Sequence, residues 1–210
     1  MEQKSIPTEK GIQLKVANCV EDYEKVYQIR KVVFGQEQNY SEKCLRLGHS
    51  QNQQYILCLQ NNQPVGTVTV ELGEKNGDLD IDKYYNLAQY YSKYRRLLFW
   101  SRNAVIKEYR NGSIAPLLQM FMHKLVIEMD VGYVVVDCKT NNNVSKNMIS
   151  RLGYNRIGNC IKGEIGPIIV WGLTLNNYSK NLRSYVEYKD MGKLFGKYFD
   201  LPLNHYLIPG

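Results

Sequence analysis

Residues 103–119, NAVIKEYRNGSIAPLLQ, hold the residue types best suited to chemistry on a phosphorylated substrate. An apolar strand pattern breaks at Arg110, Asn111, Gly112 and Ser113, and a long helical pattern begins at Ile114. The first backbone N–H groups of a helix have no internal partner and point out of its positive end. Small residues there let a phosphate come close, so the turn reads as a pyrophosphate cradle. Ser113 also reads as a plain helix cap. Pro116 suits a first turn in either case, because its missing donor costs little there.

The charge pattern leads to the same region. The chain has 210 residues and a formal net charge of +7. Residues 83–110 hold Lys83, Lys93, Arg95, Arg96, Arg102, Lys107 and Arg110 against Glu108 alone, a net of +6. Such a patch attracts phosphates, an acidic protein or nucleic acid, or else is a solvated face. Length and composition suit one globular domain with a real core and argue against a disordered or disulfide-stapled chain. Five cysteines, an odd number with no C-x-x-C pair, argue against a zinc ribbon or a disulfide framework and favour a reducing compartment. Three histidines without H-x-x-x-H spacing predict no metal site. No apolar run is long enough to span a membrane, so a cytoplasmic protein is expected.

The elements that position the cradle follow from periodicity. Residues 12–18 alternate as a strand, and Val20–Phe34 read as an amphipathic helix. Residues 35–52 read as loop with a short helix. Strands at 54–60 and 64–72 flank a turn at NNQ. A polar loop at 74–80 leads into an insertion at 81–96. Next come a strand at 97–106, a helix from Ile114 to Met129, a buried strand at 131–138 and a helix from Asn142 to Leu152, with two late strands, YNRIG and PIIVWGLTL. This order predicts an α/β (α+β) fold with a central mixed sheet flanked by helices. Residues 1–175 form the domain, and 176–210 a C-terminal extension with a helix near 178–198 that packs on it.

The turn resembles the phosphopantetheine-binding signature of the GNAT superfamily of acyl-coenzyme A N-acyltransferases, Arg/Gln-x-x-Gly-x-Gly/Ala. Arg110 and Ala115 fall in register, and Ser113 stands in place of the middle glycine. NNVSKNMISRLGY, from Asn142 to Tyr154, is similar to the family's later helix and its closing "LGF". A narrower resemblance is to acyl-homoserine lactone synthases and long-chain N-acyl amino acid synthases. Arg30 and Phe34 match their R-x-x-x-F element, and Ser101, Arg102, Ala104 and Val105 match an "SR-x-AV" strand. Phe99 replaces the acidic residue usual three positions before that arginine.

The resemblance implies an acyl thioester donor, acyl carrier protein or coenzyme A, with no permanently bound cofactor. A primary amine, plausibly the α-amine of an amino acid, accepts the acyl group. It places the donor at Asn103, Ala104, Val105, Arg110, Asn111, Gly112, Ser113, Ile114, Ala115 and Asn142, with main-chain N–H groups near 103–105 as oxyanion donors. Arg30, Phe34, Trp100 and Arg102 are the expected substrate contacts, either arginine being suited to a carboxylate. Glu37 and Glu71 are the candidate bases. The tyrosine that many relatives place four positions before the "GF" glycine is Ile149 here. Ser101 or Tyr109 is then the candidate acid for a thiolate that can also leave unprotonated, thiol pKa values lying near 8.5. His123 and Cys138 read as core residues.

Two rival readings follow. One is an acetyl-coenzyme A-dependent N-acetyltransferase, and the other a non-catalytic acyl-carrier or nucleic-acid binding module. The extension carries five basic against three acidic residues, too little asymmetry to expect a nucleic-acid partner.

Overall fold

The computed structural model describes residues 6–7, 11–48, 52–110, 112–177 and 181. The helix expected near 178–198, and nearly all of the 176–210 extension, lie outside the described residues.

Eight strands form one sheet in the order β1-β2-β3-β4-β5-β6-β8-β7. They are β1 (Ile6–Pro7), β2 (Ile12–Val16), β3 (Gln53–Gln60), β4 (Gln63–Gly73), β5 (Leu97–Val105), β6 (Tyr133–Lys139), β7 (Asn155–Lys162) and β8 (Gly166–Thr174). Every pairing is antiparallel except β5 with β6. That parallel step requires a crossover, and α4 (Ile114–Glu128) supplies it.

The central strands are buried on both faces, which accounts for their nearly unbroken apolar runs. On β3, Ile56 and Cys58 face the α4 side, while Tyr55, Leu57 and Leu59 face α1 (Val20–Arg30). On β5, Leu98 and Trp100 join the α4 core, and Leu97 and Phe99 face the insertion. Leu79, Ile81 and Leu87 anchor that insertion, so it is a third packed cluster rather than a free loop. Its helical pieces are a 3₁₀ turn, Asp80–Lys83, and α3 (Ala88–Tyr91).

The helix expected over Val20–Phe34 changes character at Arg30. Lys31–Gln36 continues it as a π-helical segment, a form common at functional sites. This segment and α2 (Glu42–Leu45) bring Phe34 to the open edge between β5 and β6. The strand expected from YNRIG runs longer, through Lys162. Helix α4 is apolar nearly all round and lies against the sheet on β4. At Gly66 a Cβ would come within 2.8 Å of Ile114 Cγ2, so glycine sets the close approach of helix to strand. The remaining helix is α5 (Asn143–Arg151). Among the described residues no helix is long and apolar enough to cross a membrane.

Candidate active site

Strands β5 and β6 pair only from Leu97↔Tyr133 to Trp100↔Val136. Beyond Trp100 they part, and among the described residues the edge of β5 facing β6 has no strand partner from Ser101 to Val105. A bulge enforces the parting. Thr67 pairs with Ala104 and Thr69 with Ser101, so Arg102 and Asn103 stand opposite Val68 alone. Arg102 has φ +50°, a left-handed backbone that costs a non-glycine residue on the order of 1 kcal/mol or more and persists where the surroundings impose it.

The parted strands enclose a cleft. One wall is Ser101, Arg102 and Asn103, and the other is Asp137, Cys138 and Lys139. Asn142, Ser145, Lys162 and Ile168 also line it, and Phe34, Gln38, Tyr40 and Cys44 stand over it. Phe34 stacks on Tyr40 at 5.6 Å, and Lys139 Nζ sits 3.9 Å from the centre of the Tyr40 ring. The α1–α2 connection is thereby fastened to β6 across the opening. Burial lifts the Tyr40 hydroxyl to a pKa of about 12, so it stays protonated at neutral pH. Ser101 Oγ is buried and has no hydrogen-bond partner among the described residues, and the same holds for Asn103 Oδ1. Two orphaned polar atoms on one wall suit a polar ligand.

The cradle turn flanks the same strand. Ser113 sits at the α4 N-cap with helical backbone (φ −81°, ψ −10°), and its side chain makes no capping hydrogen bond. The plain-cap reading of Ser113 is therefore corrected, because a helical residue cannot swing its hydroxyl back over the turn as an extended N-cap residue does. Beside Gly112 the first N–H groups of α4 thus have no cap from the Ser113 side chain. Arg110 turns inward: its Nε donates to Val105 O at 2.8 Å, and Nη2 pairs with Glu37. Asn111 lies outside the described residues.

The other expected residues divide clearly. Asn142 lines the cleft and also caps α5, its Oδ1 accepting from Ser145 N at 3.0 Å. Ala104 and Val105 are buried, leaving their main chain as the available feature. Glu37 is 28% exposed and in an ion pair with Arg110, not on the cleft wall. Glu71 is buried, with its carboxylate taken by Gln53 Nε2 at 2.7 Å and Asp80 N at 2.6 Å. Burial raises its pKa, and those two donors moderate the rise.

Arg30 does not reach the cleft. It is 1% exposed, donates to Leu45 O, Arg46 O and Thr69 Oγ1, and lies over the Tyr55 ring. Burial and the neighbouring Arg102 charge lower its pKa to about 9. The substrate contact expected at Trp100 is also displaced: the ring is in the core, and its Nε1 donates to Tyr154 Oη at 2.9 Å. Tyr109 packs against the same core. His123 is buried, and burial lowers its pKa to about 4, so the ring is neutral at pH 7. Cys138 does line the cleft, but burial raises its pKa and leaves a protonated, poorly nucleophilic thiol.

Sequence reasoning missed a charged group in the cleft. Lys162 Nζ lies 2.9 Å from Asp137 Oδ2 and 3.4 Å from Asp80 Oδ2. Burial works to discharge Lys162, but the two carboxylates outweigh it and the pKa rises, so it stays cationic. Asp80 comes from the insertion and also meets Lys83 at 3.0 Å and Arg102 at 4.0 Å. Burial alone would raise its pKa; Lys162, Lys83 and Arg102 bring it below the ordinary value. Asp137 ends the buried strand VGYVVVD, a polar residue where the apolar run stops, which is the one signal the sequence carried. Lys162 had none, since its partners lie far away in sequence. Among the described residues no cluster of His, Cys, Asp and Glu is arranged to hold a metal.

No protein-family model matches the chain, and none of the curated proteins matches it. Solved structures do. FeeM, an N-acyl amino acid synthase from uncultured soil microbes, superposes with TM-score 0.69 at 15% identity, over 81% of this chain and 94% of that one. NAA60 of Arabidopsis thaliana, solved in complex with acetyl-CoA, gives TM-score 0.58 at 15% identity over 79% and 99%. The ribosomal-protein-S18-alanine N-acetyltransferase of Escherichia coli gives 0.57 at 12% identity over 77% and 94%. With a mixed sheet, one parallel pair that parts at a bulge and a crossover helix beginning uncapped beside it, the chain has the GNAT acyltransferase fold.

Proposed function

We infer that the protein is an N-acyltransferase that moves an acyl group from a phosphopantetheine thioester to a primary amine. The observation that carries this is the open edge of β5 beyond Trp100, adjoining the uncapped N-terminus of α4. The helix end offers main-chain N–H groups to a pyrophosphate. The unpaired edge of β5 offers main-chain partners to a pantetheine arm and a donor to the thioester oxyanion. A thioester is already reactive, so holding amine and carbonyl together supplies much of the rate, with effective molarities of about 10⁵ M or more in well-aligned systems.

Donor and acceptor follow from charge and shape. The donor is an acyl chain on coenzyme A or on acyl carrier protein, whose acidic surface would meet the cationic 83–110 stretch. Phe34, Tyr40, Cys44, Ile165 and Ile168 give the cleft an apolar side for the chain. Arg102, 22% exposed and only 4.0 Å from its nearest carboxylate oxygen, is the group that receives the carboxylate of an amino acid acceptor. Arg30, whose terminal Nη1 and Nη2 groups donate to Leu45 O, Arg46 O and Thr69 Oγ1, positions α1. The likeness to FeeM supports this acceptor class, and the protein would act where both thioester and free amino acid are present.

Mass spectrometry of lipid extracts from cells expressing the protein tests this. A new N-acyl amino acid is the expected result, and a full amino-acid panel with no such product refutes the acceptor. A second reading, a short-chain N-acetyltransferase, draws on Phe99, Trp100 and Tyr133, bulky side chains buried where β5 and β6 pair. Turnover of acetyl-coenzyme A with none of octanoyl-coenzyme A would favour it.

A further inference from the structure

Neither carboxylate singled out in the sequence lies on the cleft wall. Glu37 is neutralised by Arg110, and Glu71 is enclosed by Gln53 and the Asp80 main chain. Among the described residues the carboxylate that lines the cleft is Asp137. It stands on β6 just past the last paired residue, Val136, across the cleft from Ser101 and Arg102. Its Oδ2 accepts from Lys162 Nζ at 2.9 Å, and its Oδ1 accepts no hydrogen bond from any described residue. Its side chain is 11% exposed and lines the cleft, with one oxygen anchored by Lys162.

We propose that Asp137 receives the acceptor ammonium in the cleft and takes its proton, held in place by Lys162. This rests on the N-acyltransferase reading. The ammonium transfers one proton to Asp137 Oδ1, and the freed nitrogen pair attacks the thioester carbon. The C–N bond forms, the C–S bond breaks, and the second nitrogen proton goes to the departing sulfur, which leaves as thiol. Asp137 returns its proton to water when product departs. Ser101 Oγ, buried and unpartnered among the described residues, faces the same space and has a hydroxyl to offer to the developing oxyanion or sulfur.

Two cations border the acceptor position. Lys162 on β7 and Arg102 on β5 lower the bound ammonium's proton affinity by like charge, while Lys162, paired with Asp137 at 2.9 Å, opposes the transfer from the carboxylate's side. Asp80 in the insertion offsets Lys162 from its far side at 3.4 Å. The remaining titratable neighbours among the described residues are Tyr40 and Cys44 over the cleft, Cys138 and Lys139 on β6, and Cys160 on β7. Of these, Tyr40 and the thiols of Cys138 and Cys160 have raised pKa values and stay neutral around pH 7.

The test uses the full chain with octanoyl- and acetyl-coenzyme A and octanoyl-acyl carrier protein against a mixture of the twenty amino acids and simple primary amines, following thiol release and product mass. Asp137→Asn should lower kcat/KM by about 10²- to 10⁴-fold at pH 7, with a deficit that shrinks toward pH 9 to 10 as free amine becomes abundant. Coenzyme A affinity should stay within about twofold, because Asp137 touches the acceptor side. Lys162→Gln, which keeps a donor and removes the charge, should move the acidic limb of the pH profile upward and decides the matter if Asp137→Asn does not fold. An Asp137→Asn enzyme retaining more than about a tenth of wild-type kcat/KM, a pH-independent deficit or an unmoved acidic limb overturns the assignment and leaves the transferase standing. A wild-type protein that shows no amine-dependent thiol release overturns both.

Discussion

His123 sits in the middle of α4, on its buried face, and its charge state links stability to pH. Burial lowers its pKa from 6.5 to about 4. Above pH 7 the ring is neutral in both folded and unfolded chains, so it contributes no pH dependence. As pH falls below 6.5 the unfolded chain takes up a proton that the folded protein refuses, and stability is lost until the folded ring also titrates near pH 4. Linkage puts this loss at about 2 kcal/mol by pH 5 and about 3 kcal/mol by pH 4. His123→Gln keeps a hydrogen-bonding side chain and cannot titrate. Urea unfolding of both proteins from pH 8 to pH 4 should therefore give stability differences that shift by that amount, whatever the fixed cost of the substitution. Differences that stay constant within about 1 kcal/mol across the range would refute the buried-neutral assignment.

Three further outcomes follow from the packing and the cradle. Ser113→Asp should raise thermal stability by about 0.3–1 kcal/mol, since a carboxylate sits favourably at the positive end of α4, yet weaken coenzyme A binding at least about tenfold by repelling its pyrophosphate; calorimetric titration beside a melting curve reads both. Gly66→Val puts carbon where Ile114 Cγ2 stands 2.8 Å from a Cβ, and should destabilise by about 1–3 kcal/mol in urea while displacing α4. Arg30→Met strips the donors from Leu45 O, Arg46 O and Thr69 Oγ1. Relief of the buried charge offsets part of that loss, for a net cost of about 1–3 kcal/mol by denaturant unfolding.

Much of the architecture was written locally. Ile56 with Cys58 and Leu57 with Leu59 alternate between two cores, and α4 carries an apolar surface all round, so periodicity alone located them. The strand end, small-residue turn and helix start of 105–114 were legible because they lie within one short segment. What escaped depends on distant parts meeting. The Arg102 bulge arises from the offset between β4 and β5, which no local pattern encodes. Lys162 acquires its role only when β7 folds against β6 and the insertion delivers Asp80. Trp100 alternates onto the α4 face, so a residue in a suggestive motif became core.

The most direct test of the donor-binding cleft is a coenzyme A titration of ¹⁵N-labelled protein followed by amide chemical shifts. Saturable shifts should concentrate at Gly112 to Ala115 and along Ser101 to Val105, with Ser113→Asp abolishing the first group. Shifts confined to the exposed cations around Lys93 and Arg95, or none at all, would contradict the account.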